Sequence, residues 1–355
     1  MKILVTGVGG VTPRSFVQAL RKYSKYARFE FVGTDSNQYA LGLYMPQLFN
    51  STYLVPKVSD PNYWTVMDRI IDREKIDYAI INPELEVVEW AKRSLLVKFP
   101  FKVLLPDYKL ASLLVDKAIL SEALEPYGIV PSSFTITKEE VNEKSELKLK
   151  YPFWIRSALG SSGLGSMKIN SFDELQNWIN VNPKVEKFLA SEFLPGRNLG
   201  CKMLYHNGDL LRCAIAERVL YIMSKVAPSG ITGNTCFGRL VNAPEAFRVA
   251  KQAMEIMFEK TNTPKHGFFT VDMKEEADGT PKVTEVNIRF VAFTQCYASG
   301  GANLPEDLIR VLDNDPSFDR KFQLYEFEPD LIFLRDVDEQ PIIMKESQLL
   351  SKYLE

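Results

Sequence analysis

Apolar and polar positions along the first hundred residues follow two alternating periods. Lys2–Thr6, Phe29–Thr34 and Tyr78–Ile81 are short apolar runs, and the first of them ends in glycines. Between the first two runs, Phe16 and Leu20 recur at the four-residue spacing of one helix face. Strands that alternate with helices in this way predict a parallel sheet covered by helices on both faces.

The periodicity changes in the remainder of the chain. Residues 106–130 predict helices, and residues 138–150 predict a charged helix. Residues 186–290 are mainly strand-like, interrupted by one helix from about residue 244 to 260. The tail from residue 322 onward predicts a strand pair and a short helix. The fold class is therefore α/β at the N-terminus and α+β in the later part.

Composition narrows the classes of protein. The chain has 355 residues, of which 46% are hydrophobic, enough for two or three packed units. A net charge of −2 gives no bias toward nucleic acid or an anionic membrane, so neither is expected as a partner. No apolar run approaches the ~18–20 residues of a membrane span, and the N-terminus lacks the pattern of a signal peptide.

Cysteine and histidine usage limits the chemistry. The 4 cysteines are scattered without a CxxC motif, which is typical of reduced thiols in a cytoplasmic protein. With only 2 histidines, a histidine-rich metal site or a Ser-His-Asp triad is hard to build. Carboxylates, lysines, arginines and backbone amides are therefore expected to carry the chemistry.

Residues 267–290 form the most informative stretch. Two alternating runs flank Asp278-Gly279, a strong hairpin signal. A two-residue turn centred there places Asp272 directly opposite Glu285. The strand period of two puts Glu285, Asn287 and Arg289 on one face of the hairpin.

Opposed carboxylates are unfavourable in a strand pair unless something neutralises them. Side chains directly opposite each other lie ~5 Å apart, where two unit charges repel by roughly 3 kcal/mol at an effective dielectric of 20. A bound cation reverses this cost, and two carboxylates with an amide oxygen are hard ligands that suit Mg²⁺. The alternative is a solvated hairpin whose charges diverge. Three oxygen ligands and an arginine on one face favour the metal site.

A glycine- and serine-rich segment at residues 160–166 follows the apolar run that ends in Arg156. Such a loop exposes backbone N–H groups suited to polyphosphate, and arginine can pair with phosphate oxygens in a fork. An ordinary hairpin is the alternative interpretation. Lys117 and Glu192, taken alone, are equally consistent with a solvated charge and a strand end.

Together these features resemble the ATP-grasp family, over roughly residues 1–310. Within it, the chain is similar to proteins related to the large chain of carbamoyl phosphate synthetase. The N-terminal segments that carry the resemblance are KILVTGVGG, VGTDSN and INPELEV. The resemblance implies an α/β Rossmann-like domain followed by two α+β subdomains that clamp ATP. The implied boundaries are an N-terminal domain over 1–107, a central lid over 108–190, a C-terminal subdomain with the metal site over 191–321 and an extension over 322–355.

The resemblance also assigns roles to individual positions. Lys117 matches the first nucleotide-binding lysine, and Arg156 stands where many members have a second lysine. Arg289 matches an arginine that steadies the transferring phosphate. Asn198 stands where many members have an acid that binds ribose. The remaining implied positions are the triphosphate lid, Gly160, Ser161, Ser162 and Gly163; the adenine-binding hinge, Glu192, Phe193 and Leu194; a further nucleotide contact, Met273; and the Mg²⁺ ligands, Asp272, Glu285 and Asn287.

The implied activity is that of an ATP-dependent carboxylate–amine ligase. ATP phosphorylates a small carboxylate to an acyl phosphate, and an amine or another nucleophile then displaces phosphate. ATP and Mg²⁺, with Mn²⁺ as an alternative metal, are the implied cofactors, and a homo-oligomer is compatible with the sequence. Residues 206–240, which include Arg218, Lys225 and Gly230–Gly233, are expected to help line the acceptor pocket, with Glu84 and Glu86 as further candidates.

Two other functions stay open at this point. Asn198, in place of an acid, is compatible with a regulatory protein that binds ATP without catalysis. Gly7-Val8-Gly9-Gly10, with Asp35 as a ribose acid, suggests a nicotinamide-dependent oxidoreductase, although Thr12 occupies the position of the third glycine. A complete carbamoyl phosphate synthetase is implausible, because its large chain has two such halves.

Overall fold

The structure is a computed structural model. The residues that it describes are 1–142, 150–158, 165–225, 227, 229–231, 233–336 and 342–345. These residues form three sheets, with the helices packed on their faces. No helix within these ranges is long and apolar enough to cross a membrane.

The first sheet is parallel, as the sequence predicts, and is ordered β3-β2-β1-β4-β5. Its strands are β1 (Lys2–Thr6), β2 (Glu30–Asp35), β3 (Ser51–Leu54), β4 (Tyr78–Ile80) and β5 (Lys102–Val103). The helices that alternate with them are α1 (Val11–Tyr23), α2 (Tyr63–Glu74) and α3 (Glu84–Ser94). α1 packs into one core cluster and α2 and α3 into another, so the sheet is covered on both faces.

The second sheet is antiparallel and is ordered β6-β9-β7-β8. Its strands are β6 (Ser133–Thr137), β7 (Phe153–Ser157), β8 (Met167–Ile169) and β9 (Lys187–Glu192). α4 (Tyr108–Leu114) and α5 (Lys117–Leu124) precede it, and α6 (Lys138–Asn142) and α7 (Phe172–Val181) accompany it. Phe153, Ile155, Leu175 and Phe188 belong to a small core of this unit.

The start of α6 has the hydrogen bonds of a capping box. The Thr137 backbone N–H donates to Glu140 Oε2 at 2.7 Å, and the Glu140 N–H donates to Thr137 Oγ1 at 3.4 Å. The predicted helix over 138–150 is described as far as Asn142, and its remainder falls largely outside the described residues.

The third sheet is the largest and is ordered β14-β13-β10-β11-β12-β16-β17, with β15 beside β11. Its strands are β10 (Asn198–His206), β11 (Asp209–Tyr221), β12 (Thr235–Leu240), β13 (Gly267–Glu275), β14 (Pro281–Asn287), β15 (Gln323–Leu324), β16 (Leu331–Leu334) and β17 (Ile342–Lys345). The associated helices are α8 (Pro244–Thr261), α9 (Thr294–Ser299) and α10 (Leu304–Asp313). The tail pairs β16 with β17 as predicted, and its predicted short helix lies outside the described residues.

The first and third sheets share their hydrophobic cores. One cluster joins α2 and α3 to α8 and to the odd-numbered side chains of β10 and β13. The other joins α1 to α9, α10 and Leu204 of β10. This packing holds the start of α1 beside the third sheet.

Asp313, at the end of α10, links the helices of the third sheet to the first sheet. It accepts hydrogen bonds from Lys102 Nζ at 2.8 Å, from Tyr78 Oη at 2.7 Å and from Tyr26 Oη. The hydrogen bonds from Lys102 and the two tyrosines lower the pKa of Asp313 to about 2. The charged carboxylate is therefore the form that stabilises the fold.

We expect Asp313→Asn to lower the free energy of unfolding at neutral pH by about 1–2 kcal/mol, allowing for the partial exposure of this carboxylate. The pKa is lowered in the folded state, so the stabilisation is fully present above the unfolded value of about 4 and disappears as the pH falls toward 2. The difference in melting temperature between wild type and variant should be constant from pH 5 to 8 and shrink below about pH 4.

Asp72→Asn is the matched control, because Asp72 is an exposed carboxylate on α2. It should leave the melting temperature unchanged at each pH. A difference between wild type and Asp313→Asn that is equally large at pH 3 and pH 7 would contradict the expectation.

Candidate active site

The β13–β14 hairpin brings the two predicted acids together. The antiparallel register pairs Asp272 with Glu285, as the sequence predicts. Val286 and Ile288 point into the core, whereas Glu285, Asn287 and Arg289 line a cavity on the other face. The period-two prediction for these residues is therefore confirmed.

The turn of this hairpin differs from the prediction. Gly279 has φ +89°, and its N–H donates to the Glu276 carbonyl at 3.1 Å, while the Glu276 N–H donates to the Thr280 carbonyl at 2.9 Å. This is a three-residue loop rather than a two-residue turn, and it shifts the pairing next to the turn by one position. An irregularity between Asp272 and Met273 in the register then restores the expected pairing of the acids.

Asn287 lies between the two carboxylates. Its Nδ2 donates to Asp272 Oδ2 at 3.1 Å and to Glu285 Oε1 at 3.3 Å. Asp272 and Asn287 are buried, and 30% of the Glu285 side chain is exposed. The amide N–H group of Asn287 thus occupies the space between the two acids. A small cation suits the same space, because both carboxylates attract positive charge. Rotation of the amide by half a turn presents its oxygen to that space instead.

Two cations approach Glu285 from outside the hairpin. Lys117 Nζ and Arg156 Nη1 each lie 3.8 Å from Glu285 Oε2. Lys117 is the first residue of α5, whose N-cap Asp116 accepts hydrogen bonds from the backbone N–H groups of Ala118 and Ile119. Arg156 lies on β7 and also donates to the Thr284 carbonyl at 2.5 Å. Burial acts to raise the pKa of Glu285, but Lys117 and Arg156 outweigh it and lower the pKa to about 2.

A third cation, Arg218 on β11, pairs with the other acid. Its Nη2 lies 2.5 Å from Asp272 Oδ1. Burial raises the pKa of Asp272 to about 7, with Arg218 opposing the shift and Glu285 reinforcing it. At both acids, burial acts to raise the pKa and the neighbouring cations act to lower it.

A cavity of about 520 Å³ extends from this cluster between the second and third sheets. The hinge residues Glu192, Phe193 and Leu194 line one part of it, together with Asn198. Residues 9–12, which lead into α1, also line the cavity, as do Arg289 and Phe293. The structure thus brings Lys117, Arg156, the hinge and the acidic hairpin around one space.

Met273 is the exception among the described candidates. Strand alternation points it away from Asp272, and it lies fully buried in the core with Val271 and Phe269 rather than in the cavity. Gly160, Ser161, Ser162 and Gly163 lie outside the described residues.

The proposed acceptor residues divide into two groups. Arg218 and Gly233 line the cavity, whereas Lys225 and Gly230 are not among its lining residues. Glu84 Oε1 lies 3.8 Å from Arg289 Nη2. Glu86 is buried, and burial raises its pKa to about 7.

The cavity also contains residues that the sequence did not single out, among them Trp154, Lys274 and Tyr221. Trp154 and Lys274 line the cavity two positions from Arg156 and Asp272, so the strand period could have found both. Tyr221 accepts a hydrogen bond from Asn198 Nδ2 at 2.7 Å. Its position depends on the pairing of β10 with β11, which no local pattern specifies.

Asp35, which the dinucleotide interpretation needs as a ribose acid, is engaged by two backbone N–H groups. Its Oδ2 accepts from the Gly9 N–H at 2.7 Å and its Oδ1 from the Asn37 N–H at 2.8 Å. Gly7, with φ +67°, makes the tight turn between β1 and α1. This geometry favours the ordinary interpretation, a strand–helix turn.

Comparisons with known proteins agree with the architecture. No family model matches the chain. A D-alanine–D-alanine ligase of Natranaerobius thermophilus is 27% identical over 103 residues, and the match spans 26% of this chain and 28% of that ligase. The chain thus spans little more than a quarter of the length of that curated relative.

Two solved structures match nearly the whole chain. An N5-carboxyaminoimidazole synthetase from Staphylococcus aureus, complexed with ADP, has a TM-score of 0.70 at 15% identity and covers 94% of this chain and 81% of its own. The biotin carboxylase domain of a Hydrogenobacter thermophilus 2-oxoglutarate carboxylase, complexed with ADP and its magnesium salt, has a TM-score of 0.64 at 13% identity, covering 94% and 74%. The fold that the sequence predicts is confirmed.

Gly200 offers a direct test of the Arg218–Asp272 pair. A Cβ at this position would lie 3.3 Å from both Arg218 Nη2 and Asp272 Oδ1. We expect Gly200→Ala to destabilise the fold by about 1–2 kcal/mol, because the methyl group crowds a buried ion pair. Chemical denaturation of the variant and the wild type measures this change.

A double-mutant cycle with Arg218→Ala provides the control. The intrinsic effect of alanine on the strand is the same in both backgrounds, so it cancels in the cycle. Gly200→Ala should cost less when the guanidinium is absent. Equal costs in the two backgrounds would show that the crowding does not involve Arg218.

Proposed function

We propose that this chain, which has the ATP-grasp fold, is an ATP-dependent ligase that joins a small carboxylate to an amine or a related nucleophile. The observation that carries the proposal is the cluster of Asp272, Asn287 and Glu285, which faces Lys117 and Arg156 across one cavity. The D-alanine–D-alanine ligase matched over part of the chain is an enzyme of this kind by its name.

The nucleotide is proposed to lie between the second and third sheets. The hinge Glu192–Leu194 would hold adenine through its backbone. The Glu192 side chain is engaged in a hydrogen bond within the protein, since its Oε2 accepts from the Ser132 N–H at 3.2 Å. Lys168 Nζ lies 4.4 Å from the centroid of the Phe193 ring, which fixes this side of the hinge. Both solved structures that resemble this chain contain ADP.

Asp272, Glu285 and Asn287 would hold Mg²⁺ or Mn²⁺. The donor set fits a hard divalent cation, because two carboxylates converge on the space that the Asn287 amide already fills with a partial positive charge. A metal held by these three residues would supply positive charge that neutralises the phosphates of the nucleotide. The protein residues carry the remaining steps.

Lys117, Arg156 and Arg289 line the same cavity, and their proposed role is to neutralise charge on the transferring phosphoryl group. A carboxylate oxygen of the substrate attacks the γ-phosphorus, and the bond to the bridging oxygen of ADP breaks. The amine then attacks the acyl carbon, loses a proton and expels phosphate. The acyl phosphate that forms between these two steps hydrolyses readily in water. The reaction therefore favours an enclosed cavity.

Trp154 reports on the proposed nucleotide position. It lies on β7 and lines the cavity near the hinge. We expect addition of Mg-ADP to change the tryptophan fluorescence of the wild type, because the nucleotide alters the surroundings of this indole. The change should be largely lost in Trp154→Phe while calorimetry still detects binding.

Trp64→Phe is the control, because Trp64 packs against Trp90 among the helices of the first sheet. Its fluorescence response to Mg-ADP should match that of the wild type. A full response in Trp154→Phe would place the nucleotide elsewhere.

Turnover tests the proposed reaction. Incubation with ATP, Mg²⁺ and a panel of small carboxylates and amines should release ADP and phosphate in equal amounts for at least one pair. Glu285→Gln should lower kcat by roughly 10²-fold or more, since it removes charge needed at the metal and the phosphates. A coupled ADP-release assay measures both.

Glu217→Gln is the matched control, because Glu217 pairs with Arg239 at 3.3 Å on the same sheet and does not line the cavity. It should retain turnover. Tight Mg-ADP binding with no turnover on any pair would instead support an ATP-binding protein without ligase activity.

A further inference from the structure

Arg218 occupies one of the carboxylate oxygens that the metal would need. Its Nη2 lies 2.5 Å from Asp272 Oδ1, and the side chains of Arg218 and Asp272 are 13% and 6% exposed. A guanidinium and a divalent cation on the same carboxylate repel each other strongly, because the site is poorly solvated. The arginine and the metal therefore compete for Asp272.

The guanidinium already lies beside an aromatic side chain of the cavity wall. Gly200 keeps the path between Arg218 and Asp272 open, since any Cβ there would touch both groups. The Arg218 guanidinium carbon lies 5.6 Å from the centroid of the Phe293 ring, which lines the cavity near Arg289 and the start of α1. Arginine released from Asp272 would remain in the cavity beside this aromatic ring.

The Phe293 ring is itself held in place by a buried lysine. Lys202 is fully buried on β10, and its Nζ lies 5.1 Å from the Phe293 ring centroid and donates to Thr294 Oγ1 at 2.9 Å. Tyr297 Oη donates to the Gly200 carbonyl at 3.1 Å, which ties α9 to the same strand. The part of the cavity lining beside Arg218, at Phe293, is therefore held in place by buried contacts.

We propose that Arg218 has two partners in turn: it pairs with Asp272 in the metal-free protein, and when the metal binds Asp272 it turns to the carboxylate of the acceptor substrate. Arginine suits this task because its planar fork matches a carboxylate in two parallel hydrogen bonds. The inference rests on the proposed function and adds an order of binding, in which the metal nucleotide prepares the carboxylate site.

The test measures metal binding rather than catalysis. Mn²⁺ is titrated into the full-length protein without nucleotide, and free Mn²⁺ is followed by electron paramagnetic resonance. Arg218→Met removes the competing charge, so it should bind Mn²⁺ about tenfold more tightly than the wild type, as a coupling of ~1.4 kcal/mol would give. Arg218→Gln, a second neutral replacement, should change the affinity in the same direction.

Arg197→Met is the matched control. Arg197 pairs with Glu275 at 2.6 Å on β13, the strand that carries Asp272, but it does not line the cavity. Its removal should leave Mn²⁺ affinity at the wild-type level. If both Arg218 variants bind Mn²⁺ no more tightly than Arg197→Met, the inference is overturned and the proposed ligase function is untouched.

A different experimental result would contradict the proposed function itself. If the wild type and all variants bind no Mn²⁺, with or without ADP, the hairpin is not a metal site and the role of Arg218 falls with it. With a carboxylate that supports turnover, Arg218→Gln should raise KM for that carboxylate much more than KM for Mg-ATP. Equal increases in the two constants would count against a contact with the acceptor.

Discussion

The mutual repulsion of Asp272 and Glu285 is the constraint on which the site depends. The hairpin sets the two acids directly opposite each other on one face, and Asp272 is buried there. Each compensating cation comes from a different part of the chain: Lys117 from α5, Arg156 from the second sheet and Arg218 from β11. The acids are therefore stable together only when these parts close around the hairpin.

The face of the hairpin could be predicted from sequence because it depends on local periodicity alone. The period of two along β14 separates Glu285 and Asn287 from Val286 whatever the rest of the fold does. The turn could not be predicted as securely, since Asp278-Gly279 suits both two-residue and three-residue loops. The acids still face each other because an irregularity in the register next to Asp272 offsets the shift made at the turn.

The partners of the acids could not be found in the same way. Arg218 and Asp272 lie 54 residues apart, and their contact requires β11 and β13 to flank β10 with Gly200 between them. Local sequence patterns predict neither the order of the strands nor the space above Gly200. Met273 is the opposite case, because its strand neighbour Asp272 already implied that it points into the core.

The charges around the hairpin also explain why metal and nucleotide should arrive together. Among the described residues, the three cations Lys117, Arg156 and Arg218 face the two acids, so the cluster needs no further positive charge. A divalent ion added alone must displace Arg218 and increase the excess of positive charge. An ion that brings a triphosphate supplies the anion that Lys117, Arg156 and the displaced guanidinium then require. The excess of positive charge around Asp272 and Glu285 thus disfavours a bare metal ion and favours its nucleotide complex.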